Sequence, residues 1–484
     1  MTELEAIEFC KNNPPHVVAK IILMVDELRQ TIATQDIKIK ELEARLNMNS
    51  TNSSKPPSSD NKFTKTKKPS NIKLKRKRGA QAGHKGKNLK IVASPDKIEI
   101  LRPVTCSCCG SSLKDIDSLE HEKRQLFDLP VIKMQVTEYQ AHSIECERCH
   151  TVNKAKFPDN INATTQYGNN IKSFVSYLNS YQMLPYERTI ETIEDLTSHK
   201  ICIGSIYNFL NTHYDKLETF EVALKQSLLK EEVLHSDETG INIKAKLHWI
   251  HVATSSVMTY YMLHQRRGRV AMDDMEIIPN YNGTLIHDHW SSYSQYTECS
   301  HSYCNAHILR ELNGISEKEG VSWSQDMHIL LTNMNIAVCR AKSANKIELP
   351  SSQIEKFTKN YEKIIKSANN YYPPPDDSIE KQKGRNKQAK GKNLLDRLSK
   401  YQNEHLRFLS DFSVPFTNNL AERDLRMIKV KEKISGSFAS FKGAEIFCRI
   451  RSYISTLKKN NIAVLQGLKC ALEGKAYVPV GVGW

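Results

Sequence analysis

The chain has 484 residues, of which 39% are hydrophobic and 25% are charged, and its formal net charge is +15. This length is sufficient for two or more domains, and the positive charge favours an anionic polymer as a partner. No run of about 18 apolar residues occurs, and the first helix is too polar for a signal peptide, so we expect a cytoplasmic protein and no membrane partner.

The N-terminal segment, residues 1–48, is predicted to be a helical coiled coil. Residues 15–48 form one helix with two apolar heptad positions, occupied by Val25, Ile32, Ile39 and Leu46 and by Ile21, Leu28, Gln35 and Leu42. Four heptads with a single polar interruption favour self-association into a homodimer or higher oligomer, with Gln35 helping to fix the register. The alternative is an amphipathic helix that packs on its own protein.

Residues 49–95 are predicted to be a disordered basic linker. Residues 61–95 contain twelve Lys or Arg and no Asp or Glu. A charge run is often only a solvated tail, but this density without countercharge favours contacts to the phosphates of double-stranded DNA, which position a protein without reading sequence. The candidate contacts are Lys73, Lys75, Arg76, Lys77, Arg78, His84 and Lys85.

Residues 96–157 contain two matched Cys-x-x-Cys pairs, separated by 36 residues in which residues 126–132 and 136–139 alternate like antiparallel strands. This pattern predicts a zinc ribbon, which is a closed structural site for Zn²⁺ with four thiolate ligands. The predicted ligands are Cys106, Cys109, Cys146 and Cys149; Cys108 is an extra cysteine, and its substitution in register for one of the first pair is the alternative. Scattered core cysteines are the weaker alternative.

Residues 158–228 are predicted to be helical. Residues 201–210, with Gly204 and Ser205, resemble the turn and second helix of a helix-turn-helix, although any helical hairpin would look similar. From residue 229 to 315 the pattern changes to strands at 232–243, 247–254, 257–263 and 283–288, with a helix near 268–277. Three strands, a helix and another strand fit the first part of a ribonuclease H-like α/β catalytic domain.

Three acidic residues stand out in this region and beyond it. Asp237 lies inside an apolar strand, where an unpaired carboxylate is costly, and Asp288 ends a second strand of the same kind. Glu422 follows Asn418, which is a predicted helix N-cap. A helical insertion at 316–410 separates Asp288 from the final helices at 411–484. Oxygen ligands without soft atoms suit Mg²⁺, with Mn²⁺ as the alternative ion.

Each of these residues has a competing interpretation. Asp273 or Asp274 could take the place of Asp288, and Glu422 could simply pair with Arg423 or Arg426 on a surface helix, where such pairs contribute roughly 0.3–0.5 kcal/mol. The two arginines are themselves candidate DNA contacts. Cys304 and His307 form either a buried structural pair or, with Cys299 or His301, a second metal site.

The chain resembles transposases of the insertion sequence 66 family along nearly its whole length. The matching pieces, in order, are residues 52–60, 83–87, the two cysteine pairs, 186–188, 235–239, 304–307 and 418–423. Each piece alone is weak, but their order and joint presence are specific. The fold is therefore expected to be multidomain α+β: a coiled coil, a zinc ribbon, a helical DNA-binding region and a ribonuclease H-like domain with a helical insertion.

The resemblance implies an enzyme that binds the terminal inverted repeats of a bacterial insertion sequence, cuts the ends and transfers the 3′-OH strand to target DNA. It implies an Asp-Asp-Glu triad, carried over as Asp237, Asp288 and Glu422, and two Mg²⁺ ions are the expected cofactors. Small accessory proteins of the same element are implied as partners, and nucleoid-associated cytoplasm is the expected location. The alternatives are an inactive zinc-ribbon DNA-binding protein and a ribonuclease H-like nuclease that only hydrolyses.

Overall fold

In the computed structural model, the described residues are 8, 11–46, 48–49, 52, 89–372 and 388–479. They belong to two compact units, the first comprising Met1–Lys65, Tyr139–Glu194 and Lys200–Trp484, and the second Thr66–Glu138 and Asp195–His199. The predicted DNA contacts Lys73, Lys75, Arg76, Lys77, Arg78, His84 and Lys85 lie outside the described residues. Within the described part of the chain, none of the helices is both long enough and apolar enough to cross a bilayer.

Fourteen α-helices are described, together with seven strands. The helices are α1 (Pro15–Leu46), α2 (Asn169–Ser176), α3 (Tyr186–Thr197), α4 (Ile203–Lys216), α5 (Glu218–Leu228), α6 (Arg269–Met275), α7 (Asn305–Glu319), α8 (Ser322–Ser343), α9 (Ser351–Ala368), α10 (Lys390–Lys400), α11 (Gln402–Ser410), α12 (Asn419–Ser435), α13 (Phe441–Lys459) and α14 (Val464–Leu472). The strands are β1 (Ser143–Glu145), β2 (Val152–Lys154), β3 (Val233–Ile243), β4 (Lys246–Thr254), β5 (Thr259–His264), β6 (Thr284–His287) and β7 (Ser300–Tyr303).

The central feature is a five-stranded sheet with the order β5-β4-β3-β6-β7. Strands β3, β4 and β5 are antiparallel neighbours, whereas β6 pairs parallel to β3 and β7 pairs parallel to β6. The four strands predicted from residues 232–288 are confirmed. The fifth strand, β7, was not predicted, because its sequence Ser-His-Ser-Tyr lacks the β-branched alternation that marks a strand.

Helices cover both faces of this sheet. Because successive side chains of a strand point to opposite faces, Leu234 of β3 joins one hydrophobic cluster with helices α4, α5, α13 and α14, while Ile241 joins a second cluster with α12 and part of α13. The segment 316–410 forms helices α8 to α11, as expected for an insertion, and these pack with α7 around their own buried side chains, including Trp323 and Tyr361.

Strands β3 and β6 approach closely at Gly283. A Cβ atom at this position would lie 2.7 Å from the backbone oxygen of Glu232, so a side chain larger than hydrogen would push the two strand starts apart. The amide of Thr284 donates to the same oxygen at 2.8 Å. Glycine at this position therefore permits the parallel pairing that aligns the ends of β3 and β6.

Helix α1 leaves its apolar heptad positions in solvent. Val25, Leu28 and Ile32 are 40%, 59% and 58% exposed. The structure therefore does not support the alternative in which α1 packs its apolar stripe on its own chain. Pairing with another copy stays a prediction.

One local prediction was wrong. Residues 126–132 and 136–139 do not form strands; Leu126 and Val136 are 91% and 88% exposed, so their alternation has no surface against which to bury a face. The strands of this region are instead β1 and β2, which pair on either side of the second cysteine pair. Helix α4 begins at Ile203, with Gly204 and Ser205 in its first turn; the helix-turn-helix stays a prediction.

Candidate active site

Asp237 lies within β3 and Asp288 follows the last residue of β6. The parallel register pairs Val233 with Thr284 and His235 with Ile286, and the same register continued along both strands sets Asp237 beside Asp288. Paired residues of neighbouring parallel strands lie about 5 Å apart and point to the same face. Two carboxylates distant in the sequence thus share one edge of the sheet.

Burial and neighbouring acids raise the pKa of Asp237 well above its ordinary value. Desolvation is the largest cause, followed by repulsion from Glu238 and Asp288, with a smaller contribution from Glu422. Desolvation also raises the pKa of Asp288. Both side chains nevertheless keep partial access to solvent. Carboxyl groups that repel one another while partly open to solvent are suited to receive a divalent cation, which would offset the repulsion.

Glu422 occupies the first turn of α12, where the helix dipole favours a negative charge. Its carboxylate lies 3.7 Å from Arg310 rather than on Arg423 or Arg426, so the interpretation of a simple pair on α12 is wrong. Asp273 and Asp274 have other partners as well: Asp273 accepts from Tyr296 at 2.7 Å, and Asp274 pairs with His264 at 3.0 Å. Neither is among the charges that raise the pKa of Asp237.

The side chain of Asn418 joins α12 to the strand that carries Asp237. Its Nδ2 donates to the backbone oxygen of Ser236 at 2.8 Å, and its Oδ1 lies 2.8 Å from Nδ1 of His235. Because the amide oxygen can only accept, His235 donates from Nδ1, and burial lowers the pKa of this histidine to about 4, which keeps the ring neutral. Asn418 is the N-cap residue of α12, as predicted, but its side chain makes no capping bond and contacts β3 instead.

The backbone around Asn418 is attached to α7. The Asn418 amide donates to Cys304 Sγ at 3.1 Å, and the Cys304 amide donates to the carbonyl oxygen of His287 at 2.9 Å. His287 immediately precedes Asp288. The two aspartate-bearing strands and the glutamate-bearing helix are therefore connected through buried hydrogen bonds that pass through Asn418 and Cys304.

The three acids are near one another without being in contact. Asp288 and Glu422 both act on the charge of Asp237, yet among the described residues the one group of three ligand atoms within 4.8 Å of one another is Cys304, His307 and Glu422. The carboxyl groups of Asp237, Asp288 and Glu422 do not reach that mutual distance.

A further carboxylate beside the three acids, Glu238, was not singled out from the sequence. It is buried on the opposite face from Asp237, accepts from Tyr293 Oη at 2.7 Å and pairs with Arg267 at 2.7 Å. The Arg267 guanidinium lies 4.9 Å and 4.3 Å from the ring centroids of Trp249 and Trp290. Its charge lowers the pKa of Asp288, against the larger effect of burial. Only the position of Glu238 after Asp237 could have signalled this network.

The exposed basic residues next to Glu422 face solvent. Arg423 and Arg426 are exposed on α12, on the side opposite its buried residues Ala421 and Leu425. No ion pair within the described residues engages either guanidinium. Both are free to contact an anionic partner beside the candidate site.

The two cysteine pairs adopt the same turn, each considered by itself. In the first, the Cys106 amide donates to the Ser111 oxygen at 2.9 Å and Gly110 donates back to Cys106 at 3.0 Å. In the second, the Cys146 amide donates to the Thr151 oxygen at 3.0 Å and the His150 amide donates to the Cys146 oxygen at 2.8 Å. Gly110 and His150 both have positive φ values, 74° and 52°. In this register Cys108 matches Arg148, not a cysteine.

The thiol of the second cysteine of each pair has a lowered pKa, which favours the thiolate. Hydrogen bonds from Ser111 lower the pKa of Cys109 to about 7, and hydrogen bonds from Thr151 lower the pKa of Cys149. The thiolate is the form of cysteine that binds metal. The donor chemistry of each turn therefore fits structural Zn²⁺.

Removal of one ribbon ligand is expected to release zinc. In Cys149→Ser, the protein should lose one equivalent of tightly bound Zn²⁺ and the ribbon should become sensitive to proteolysis, because closed zinc sites contribute folding free energy directly. Elemental analysis and limited proteolysis measure both. Cys108→Ser is the matched control and should keep the metal; a variant that loses zinc there would reverse the assignment of Cys108 and Cys109.

Family models match both the segment with the three acids and the segment with the two cysteine pairs. The model of the Transposase IS66 family matches residues 164–446, which is more than half of the chain and contains Asp237, Asp288 and Glu422. The model of the zinc-finger binding domain of transposase IS66 matches residues 103–150, which contain both cysteine pairs. A family of unknown function matches residues 12–90. No curated protein matches the chain. From the extent of the first match, the chain belongs to the IS66 family of transposases and carries that family's zinc-finger domain.

Proposed function

We propose that this protein is a Mg²⁺-dependent Asp-Asp-Glu transposase. It would bind the terminal inverted repeats of a bacterial insertion sequence, cleave the ends and transfer the resulting 3′-OH strand to target DNA. The observation that best supports the proposal is the parallel pairing of β3 with β6: continued by two residues, its register aligns Asp237 with Asp288. Glu422 lies in the first turn of α12, and its charge acts on Asp237.

The catalytic core is proposed to be ribonuclease H-like. Three antiparallel strands, followed by two strands parallel to the first of them in the order β5-β4-β3-β6-β7, support this assignment. Helices α8 to α11 lie between Asp288 and Glu422 in the sequence and pack with α7 around a hydrophobic cluster that also includes Ile286 of β6.

Asp237, Asp288 and Glu422 would hold the divalent ions, with Mn²⁺ as the alternative to Mg²⁺. Bound ions of this kind lower the pKa of an attacking water and stabilise the leaving oxygen of a phosphodiester. The chain's own contribution is to keep the carboxylates partly desolvated and to hold α12 against β3 through Asn418. Direct in-line transfer needs no side-chain nucleophile, which agrees with a site built from acids.

DNA contacts are proposed at three places. Arg423 and Arg426 are exposed beside Glu422 and would bind phosphates near the scissile bond. The basic segment around Lys73 to Lys85 and the zinc ribbon, with Cys106, Cys109, Cys146 and Cys149 as ligands of structural Zn²⁺, would supply further contacts. Small accessory proteins of the same element are proposed as additional partners, and the nucleoid is the proposed location.

Incubation with Mg²⁺ and DNA that carries the element's ends tests the function. The expected products are 3′-cleaved ends and strands joined to a target, and an otherwise identical DNA with scrambled ends is the control. Nicks without joined strands would favour a nuclease that only hydrolyses. Specific binding without any product would favour an inactive DNA-binding derivative.

Self-association through α1 is proposed as the basis for bringing two ends together. Ile32→Asp places a charge in the apolar stripe and should weaken the dimer at least about 100-fold, because burying an unpaired charge costs several kcal/mol. Sedimentation equilibrium measures this change. Gln30→Asp, outside the two apolar heptad positions, should leave the dimer intact. A monomeric wild type, or equal effects of the two variants, would contradict the coiled coil.

A further inference from the structure

Three potential metal ligands meet where α7 begins. Cys304 is the N-terminal flanking residue of α7, His307 lies one turn later, and Glu422 reaches them from the first turn of α12. One ligand atom from each residue lies within 4.8 Å of the other two. Cys304 is completely buried, and the other two side chains are half-buried.

Two of the three side chains have ligand atoms without a hydrogen-bond partner. Cys304 directly precedes α7 and His307 lies in its first turn, and their ligand atoms are within 4.8 Å of each other. His307 Nδ1 and Glu422 Oε1 are both buried without a hydrogen-bond partner, although Arg310 lies 3.7 Å from the glutamate oxygen. Buried polar atoms are nearly always satisfied, so two unsatisfied atoms in one small cluster indicate a missing ligand.

A neutral imidazole is the form of histidine that coordinates metals, and a thiolate is the form of cysteine that does so. The Cys304 thiol must lose its proton on binding, as every cysteine ligand does.

We propose that Cys304, His307 and Glu422 bind a thiophilic divalent cation such as Zn²⁺, separate from the zinc ribbon. Sulfur, imidazole and carboxylate ligands together suit Zn²⁺ and Co²⁺, whereas Mg²⁺ requires oxygen ligands. Tetrahedral zinc with these bond lengths places its ligand atoms roughly 3.5 Å apart. Because the ligand atoms lie within 4.8 Å of one another, the cluster needs to contract by no more than about 1.3 Å, which small side-chain rotations provide. Three protein ligands leave the fourth position for water.

Cys299 and His301, which the sequence offered as partners for Cys304 and His307, are engaged elsewhere. The ring of His301 uses both nitrogens: Nε2 lies 2.8 Å from the Tyr296 oxygen, and Nδ1 lies 2.8 Å from Nε2 of His287. No ring nitrogen is left for a cation. His301 is therefore not available as a third ligand beside Cys304 and His307, and Glu422 takes that position in the proposal.

This site has a consequence that rests on the proposed function. Glu422 belongs to the proposed Mg²⁺ ligands and also to the Cys304–His307 cluster. A cation that binds a thiolate and an imidazole would hold the Glu422 carboxylate on α7 and withdraw it from Asp237 and Asp288. Zn²⁺ in excess of the ribbon site should therefore inhibit Mg²⁺-dependent cleavage.

Metal stoichiometry of the full-length protein tests the site without any activity assay. After metal removal by chelation, the wild type should bind two equivalents of Co²⁺ or Zn²⁺, as measured by elemental analysis and by the thiolate-to-cobalt absorption band. Cys304→Ser and His307→Gln should each bind one equivalent, and Glu422→Gln should bind the second equivalent at least about 100-fold more weakly, since even an outer-shell change costs 10–100-fold.

Matched variants separate this site from the ribbon. Cys299→Ser removes another buried cysteine beside a histidine and should keep both equivalents, while Cys149→Ser should lose only the ribbon metal. Circular dichroism checks folding; if Cys304→Ser does not fold, His307→Gln decides, because its side chain is partly exposed. A wild type with one equivalent, or a second equivalent kept by both variants, would overturn the proposal.

The inhibition is tested separately in the cleavage assay. Zn²⁺ titrated into the Mg²⁺ reaction should inhibit the wild type, and Cys304→Ser should shift the half-inhibitory concentration upward at least tenfold. An unchanged concentration would overturn the coupling through Glu422. If the protein cleaves no DNA at all, the stoichiometry still reports on the metal site, so the two proposals can fail independently.

Discussion

Asp237→Asn is expected to abolish strand cleavage while leaving DNA binding intact. Loss of one metal-binding carboxylate removes several kcal/mol of transition-state stabilisation, so the rate should fall at least about 1,000-fold. Cleavage of a labelled end in Mg²⁺ measures the rate, and a gel-shift titration measures binding. Asp273→Asn is the matched control and should cleave normally, since Asp273 lies on α6 and accepts a hydrogen bond from Tyr296. Cleavage by Asp237→Asn would refute the proposed triad.

Asp237→Asn should also stabilise the metal-free protein. Folding raises the pKa of Asp237 above its unfolded value near 4. Below about pH 4 the carboxyl group is protonated in both the folded and the unfolded state, so it does not change the free energy of unfolding. As the pH rises from there towards the folded pKa, ionisation favours the unfolded state and the wild type loses stability. Asparagine has no charge to bury, so the variant should melt at a higher temperature at pH 7 and the difference should vanish near pH 3. Mg²⁺ should raise the melting temperature of the wild type alone. Equal melting at pH 7 would contradict a desolvated carboxylate.

Asn418→Ala is expected to impair both stability and catalysis. It leaves the buried His235 Nδ1–H and the Ser236 carbonyl without their partner, at a cost of about 1–3 kcal/mol each. It also releases the first turn of α12 from β3, and a displacement of 1 Å at a reacting site lowers the rate about 100-fold. Chemical denaturation and the cleavage assay measure the two effects.

A neighbouring residue of the same type provides the control. Asn419 is exposed in the first turn of α12, so Asn419→Ala should change stability by less than about 0.5 kcal/mol and leave the cleavage rate unchanged. Equal effects of the two substitutions would mean that Asn418 acts only through the local helix start. If Asn418→Ala is less stable but cleaves at the normal rate, Asn418 does not position Glu422 for catalysis.

Much of the framework was predictable because it depends on short-range patterns. Alternation of apolar residues marked β3, β4, β5 and β6, and strand ends carrying Asp237 and Asp288 marked the candidate site. The strand β7 was missed because its polar sequence becomes a strand only by pairing with β6. The helix start at Asn418 was located correctly, but the role of its side chain was not, since a partner 183 residues away competes with the local cap.

By itself, the sequence determined the repeated cysteine turns, the apolar stripe of α1, the acids on strand ends and the family resemblance, because periodicity and spacing encode these locally. Tertiary structure decided which acids share an edge, why Glu422 meets Cys304 and His307, and how Glu238 pairs with Arg267. These contacts join residues up to 118 positions apart, from Cys304 to Glu422. Burial and pairing change the behaviour of a carboxylate or an imidazole only when the folded chain brings its neighbours into place.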